Sequence, residues 1–388
     1  MKLGYRGWIW IDAICINQDD PIERGRQVAI MKEIFSLAQE VITYLGGDYE
    51  YDLRDHPYWT RAWIIQEIVF AKRLTIVNAC AKIKIQWVEF VQQQQRMASW
   101  DESWTTHYIC RLDIHRRSPT NSLLTALDFT RDAHCSDPRD ALYAKLGLSS
   151  EGPTIVPLPD YALSVEDVFK YFVKTWVTET GDLTIIFHAG ESPRSLPSWT
   201  PDWSVETAKL RVTMHATSGP DFDSSYGGGK IDVSWSENLN LMHVRGLNLD
   251  TVVFPEGAVA TTPYFFVQTS RSDAASGFAS LYDGMLDCEC PQNPDIGFSP
   301  GTGGEVTRTE SDRCAHVPMG AMNGDEICLL YGCPRPVVLR KQNDGRYILI
   351  GECYIGEFQT YGELGSSSLQ ELVASKVERS GEVIFSLK

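Results

Sequence analysis

The sequence predicts an α/β fold: an incomplete parallel sheet covered by helices, then a helical connector and a β-rich C-terminal region. Three observations point there. Gly7 to Ile16 is a short, strongly apolar, β-prone run, and a helix-forming segment and a second run, Glu40 to Leu45, follow it. Tyr58 to Ala71 is apolar on nearly every side, as a helix buried against a sheet would be. Beyond residue 205, Gly- and Ser-rich turns separate short β-like runs.

The run Gly7–Ile16 reads as a buried strand that ends in the turn cluster Asn17-Gln18-Asp19-Asp20-Pro21. Pro21 suits the first position of a helix, with Asp19 or Asp20 as its cap. In that helix Val28, Met31, Phe35, Ala38 and Ile42 recur at three- and four-residue steps and form one apolar stripe. Glu40–Leu45 is the second strand, stopped by Gly46-Gly47-Asp48, and the three elements make a β-α-β unit of a parallel sheet. A polar connector from Tyr49 to Pro57 leads to the helix Tyr58–Ala71, where Arg61, Gln66 and Glu67 need partners if buried. Trp10 and Trp63, each in an apolar segment, are expected in the core.

Leu74–Ala79 is a further strand and Trp87–Met97 a helix, whereas Ala98–Pro119 shows no period. Asn121–Arg131 is helical, and Asp137-Pro138-Arg139-Asp140 caps a helical run through Leu146. Gly152–Tyr161 reads as a loop, Ser164 caps a helix reaching Thr178, and Gly181–His188 returns as strand. Pro197–Trp203 is a rigid aromatic-proline segment. The later β-like runs are Met242–Leu247, Val252–Phe254, Glu326–Leu330, Val337–Leu339 and Tyr347–Glu352, suiting a small barrel or curved sheet. Asp283–Asp312 reads as a long surface loop. The expected division is an α/β domain over 1–150, a connector over 151–205 and a β-rich domain over 206–388.

Composition narrows the function. With 35 Lys and Arg against 51 Asp and Glu, the net charge is −16, which repels phosphate backbones and disfavours nucleic-acid partners. No apolar run approaches the roughly 18 residues of a membrane span, and Met1–Asp12 lacks a signal-peptide pattern, so a cytoplasmic protein is expected. Cys288-x-Cys290 and Cys314-x-His316 raise a zinc reading, but their spacing departs from paired zinc ligands, and reduced loop cysteines with no metal are expected. Gly227-Gly228-Gly229-Lys230 lacks the rest of a phosphate-cradling loop, and there is no G-x-S-x-G elbow.

Four blocks carry a family resemblance. They are Trp10-Ile11-Asp12-Ala13-Ile14-Cys15-Ile16-Asn17-Gln18 with Glu23-Arg24; Arg61-Ala62-Trp63-Ile64-Ile65-Gln66-Glu67; Asp137-Pro138-Arg139-Asp140-Ala141-Leu142-Tyr143 with Pro159-Asp160-Tyr161; and Gly324-Asp325-Glu326 with Gly351-Glu352. In these the chain resembles the fungal heterokaryon-incompatibility (HET) family, whose members trigger cell death when unlike cells fuse. The resemblance implies an intracellular signalling protein with protein partners and self-association. The family pattern usually starts with an S-Y-x-W-G strand upstream; here Met1 stands nine residues before Trp10, so an incomplete sheet is expected.

The HET domain is in turn similar to the TIR domain, a flavodoxin-like fold whose enzymatic members hydrolyse NAD. That similarity implies no resident cofactor; NAD enters as a substrate. It points to Glu67 as a catalytic carboxylate, because cleavage of the glycosidic bond develops positive charge on the sugar. Trp63, one helical turn earlier, is the implied stacking surface, and Asp12 the implied ligand-binding carboxylate at a strand end. Each has a plainer role available: Glu67 held by Arg61 or Arg73, Asp12 capping its own turn, Asn17 and Gln18 forming that turn.

Overall fold

A computed structural model describes residues 7–46, 53, 56–78, 83–97, 104–117, 122–205, 231–254, 304–356, 372–373, 375–377 and 381–388. They fall into two compact units, one within 1–172 with 203–206, the other within 173–202 and 207–388.

The first unit opens differently from the expected strand. Residues 8–11 form neither helix nor strand, with Ile11 extended, and Asp12–Cys15 forms a single helical turn (α1). Trp8, Ile9 and Ile14 lie in solvent, so no sheet face covers the run. A strand needs a neighbour to bond to, and this run finds none among the described residues. The turn closes locally instead, Asp12 Oδ1 accepting from the Ala13 N–H at 2.7 Å.

The next helix follows the sequence signals. Asp20 caps Pro21–Ala29 (α2) by accepting from the N–H groups of Ile22 and Glu23, and Pro21 occupies the first turn. After a break at Ile30, Met31–Leu37 (α3) continues the stripe, with Met31 and Phe35 buried. Val41–Leu45 (β1) pairs in parallel with Leu74–Asn78 (β2), and β2 pairs antiparallel with Ile83–Gln86 (β3). The three-stranded sheet is therefore mixed rather than wholly parallel, and its β-α-β unit lies one step later than expected, across β1 and β2.

That crossover holds a 3-10 turn, Pro57–Thr60, and the helix Ile64–Phe70 (α4). The expected helix from Tyr58 is broken because Arg61 and Ala62 leave helical geometry to bridge His134; Ala62 N–H donates to His134 O at 2.8 Å. Trp87–Met97 (α5) forms as expected, while Trp104–Arg117 (α6) forms where no period was evident. Its core side carries Asp113 and His115 among Tyr108, Ile109 and Leu112, and these polar residues hide the stripe. Arg116 of α6 donates to the carbonyls of Ile68, Val69 and Ala71, closing the C-terminal end of α4. The helices Leu123–Phe129 (α7), Asp140–Tyr143 (α8), Gly152–Ile155 (α9) and Val165–Thr180 (α10) follow. Ser164 caps α10 by accepting from the Asp167 N–H at 3.1 Å.

In the second unit the expected strand Gly181–His188 is a 3-10 turn over Thr184–His188, because Asp182 accepts from both the N–H and hydroxyl of Thr184. Nine described strands follow: β4 (Val233–Trp235), β5 (Met242–Val253), β6 (Gly304–Thr309), β7 (Cys314–Pro318), β8 (Glu326–Leu330), β9 (Val337–Lys341), β10 (Tyr347–Glu352), β11 (Tyr354–Gly356) and β12 (Val383–Leu387). Strand β5 joins two runs read separately from sequence, and it bonds to both β12 and β8. Because β12, β10, β9 and β8 are also linked in series, β5 closes a five-stranded ring. Strand β6 lies inside the stretch Asp283–Asp312 expected to be loop; residues 283–303, with Cys288 and Cys290, lie outside the described residues, as does Gly227–Lys230. No described helix is long and apolar enough to cross a membrane.

The core of the first unit centres on Trp59, 1% exposed and stacked on Phe90 at 5.2 Å between ring centroids, its indole N–H donating to Leu53 O. Trp59→Ala should lower unfolding free energy by roughly 3–5 kcal/mol. Denaturant unfolding with the midpoint unchanged would show that this packing is dispensable.

Candidate functional site

Trp10 and Trp63 are half-buried and lean on the first unit's core rather than lying within it. Trp10 meets Phe35 edge-on at 6.0 Å. Trp63, at the N-terminal end of α4, turns its indole N–H to Asp140 Oδ2 at 3.1 Å. The same carboxylate receives Arg24 at 3.0 Å and, on Oδ1, the Tyr161 hydroxyl at 2.5 Å. Arg24 also reaches Asp137 at 3.1 Å and lies over the Tyr161 ring, 3.7 Å from its centroid. Arg139 pairs with both oxygens of Asp137 and donates to the carbonyls of Tyr161 and Leu163. Gly25 lets this happen, since a Cβ there would stand 2.2 Å from the Pro159 carbonyl oxygen. Three of the four sequence blocks are thus tied into one knot.

Burial raises the Asp140 carboxyl above its usual range, against hydrogen bonds from Tyr161 and Trp63 and the Arg24 charge. At Asp137, burial is outweighed by Arg139, and the carboxyl is held below that range. Gln66, also of the motif, is buried and donates to Ala144 O at 2.9 Å. These residues hold the fold.

Glu67 faces elsewhere. Its Oε2 accepts from the buried Tyr58 hydroxyl at 2.8 Å, and that hydroxyl meets Thr43 Oγ1 of β1 at 2.9 Å. Burial raises the Glu67 carboxyl above its usual range; the Tyr58 hydrogen bond and Arg61 oppose this, and Asp12 adds to it. Neither arginine suggested by sequence makes a direct bond to it: Arg61 acts through its charge, and Arg73 donates to Gln39 O. The partner sequence reasoning missed is Tyr58, nine residues upstream, and the signal was a polar ring in an otherwise apolar segment. Glu67 and Asp12 are brought within electrostatic reach, while Trp63 is engaged by Asp140. Asp12, Cys15, Asn17 and Gln18 are exposed. Asn17 Oδ1 accepts from Asp19 N–H at 3.2 Å and its own N–H donates to Glu23 at 2.9 Å, a local turn. Among the described residues no group of three or more metal-binding side chains is assembled.

Lys145 was also passed over in the sequence. It is 1% exposed, and burial lowers its amine to about 7, the nearby Cys135 opposing. An unfolded lysine stays protonated to about 10.4, so above pH 7 the unfolded chain binds the extra proton. Stability of the first unit should therefore rise with pH between about 7 and 10, by at most about 1.4 kcal/mol per pH unit. Lys145→Met should flatten that slope in pH-dependent unfolding; an unchanged slope would assign it to another group.

Among proteins of known sequence, the heterokaryon incompatibility protein (HET) family model matches residues 2–52. Heterokaryon incompatibility protein 6, OR allele, of Neurospora crassa is 53% identical over 38 residues, 10% of this chain and 6% of that protein. The chain thus matches only a small part of that relative's length. No solved structure matches the chain.

Proposed function

We propose, from the match of residues 2–52 to the HET family, that the chain acts in fungal incompatibility-type signalling, promoting cell death through contacts with protein partners and with itself. The observation that carries this reading is the exposure of side chains in the motif and immediately before it. Trp8 is 106% exposed, Ile9 72% and Ile14 78%, and Ile11 to Cys15 all face solvent. Apolar groups held in water by a short turn contribute little to the fold and supply a surface for association. The cytoplasm is the compartment this role requires. Expression in a filamentous fungus should lower the viability of fused cells, and Ile9→Asp with Ile14→Asp should restore it. Full viability with confirmed expression, or equal killing by the double variant, would overturn the proposal.

A second reading, a TIR-like NAD glycohydrolase, is favoured by Glu67: one oxygen is fixed by Tyr58, and Oε1 has no hydrogen-bond partner among the described residues. A carboxylate placed in this way can stabilise the cationic sugar as the nicotinamide bond breaks. Nicotinamide release from NAD should then fall on the order of a hundredfold or more in Glu67→Gln, which keeps volume but removes charge. Release that is unchanged in that variant, or absent from the wild type, sinks this second role for Glu67.

A further inference from the structure

We propose that Thr43 and Tyr58 form a directed hydrogen-bond relay that positions Glu67, fixing Oε2 inward and turning Oε1 toward the ligand. The inference rests on reading Glu67 as a ligand-facing carboxylate. Tyr58 has one hydroxyl proton, and it is committed to Glu67 Oε2 at 2.8 Å, because an ionised carboxylate only accepts. The 2.9 Å contact to Thr43 must then run the other way, Thr43 Oγ1 donating to the Tyr58 oxygen. The chain of donors is therefore Thr43 to Tyr58 to Glu67, and each bond polarises the next.

The relay is rigid at its source. Thr43 is 2% exposed within β1, and Tyr58 is 8% exposed. The turn that carries Tyr58 is set by His56 Nδ1, which accepts the Tyr58 backbone N–H at 3.1 Å. Burial and the neighbouring Glu67 charge raise the Tyr58 hydroxyl well above its usual value, so it stays a donor across the physiological range. The other charges that act on Glu67 are Arg61, which favours its ionised form, and Asp12, which opposes it. Tyr58 supplies the one direct bond among the described residues, so it is a positioning residue that also favours the ionised form of Glu67 against its burial.

The test follows the Glu67 carboxyl carbon by NMR in the full chain labelled with 13C-glutamate, the signal being assigned by its loss in Glu67→Gln. Tyr58→Phe should shift the titration midpoint of Glu67 upward. Thr43→Val should shift it the same way by less, and Thr43→Ser should restore the wild-type value. A merely structural role would not follow this order. The thermal midpoint of each variant reports folding, and if Tyr58→Phe fails to fold, the Thr43 pair carries the comparison. A Glu67 midpoint unmoved in folded Tyr58→Phe, or Thr43→Ser behaving as Thr43→Val, overturns the relay. Because the titration needs no substrate, its failure is distinct from a failure to release nicotinamide.

Discussion

Asp140 is the carboxylate on which the first unit converges. Arg24 from α2, Trp63 from the start of α4 and Tyr161 from the segment before α10 all donate to its two oxygens. A charge this far from water is costly, and its partners only partly offset the cost, since burial still raises its carboxyl. Buried ion pairs of this kind often stabilise no more than apolar residues of similar volume, and what the directed bonds of the knot add is placement. It fixes the N-terminal end of α4, while Arg116 holds the carbonyls at the other end. Glu67 lies one turn beyond Trp63 on that clamped helix. Its position is therefore set by contacts made on both sides of it.

The four motif carboxylates differ in how fully they are satisfied. Asp140 receives three donors on two oxygens, and Asp137 is gripped by two arginines. Among the described residues Glu67 receives one donor on one oxygen, and Asp12 acts on it through its charge. A group saturated by its own chain has little left for a ligand, whereas a half-satisfied carboxylate on a rigid helix retains its hydrogen-bonding capacity. The asymmetry separates the motif carboxylates whose bonds are spent within the unit from Glu67, which is half-satisfied among the described residues.

Local signals were legible in the sequence. The cap, read as Asp19 or Asp20 and found at Asp20, the cap at Ser164, the helix Trp87–Met97 and the runs that became β5, β8, β9 and β10 were legible because each depends on neighbours in sequence. What failed depends on distant partners. The run 7–16 is apolar enough for a strand, yet a strand exists only where another lies beside it. Helix α6 was hidden because its buried side includes Asp113, which receives the Trp87 indole N–H. At the site, Glu67 and Trp63 were nominated together from their helical spacing, but Asp140, 77 residues from Trp63, turns the indole to itself. No periodicity carries that information.

The motif string and the knot divide the labour physically. Arg24, Trp63, Gln66, Asp137 and Asp140 point inward and are spent on each other and on the backbone. Residues 11–15, though part of the same family pattern, point outward and make only local turn contacts. Removing an exposed side chain from such a turn changes stability little, so its chemistry is free to serve association. The net charge of −16 sharpens this, because like-charged copies or acidic partners repel except where an apolar patch meets them. The exposed turn is coupled to α4 through one short path: Asp12 lies in that turn and its charge acts on Glu67.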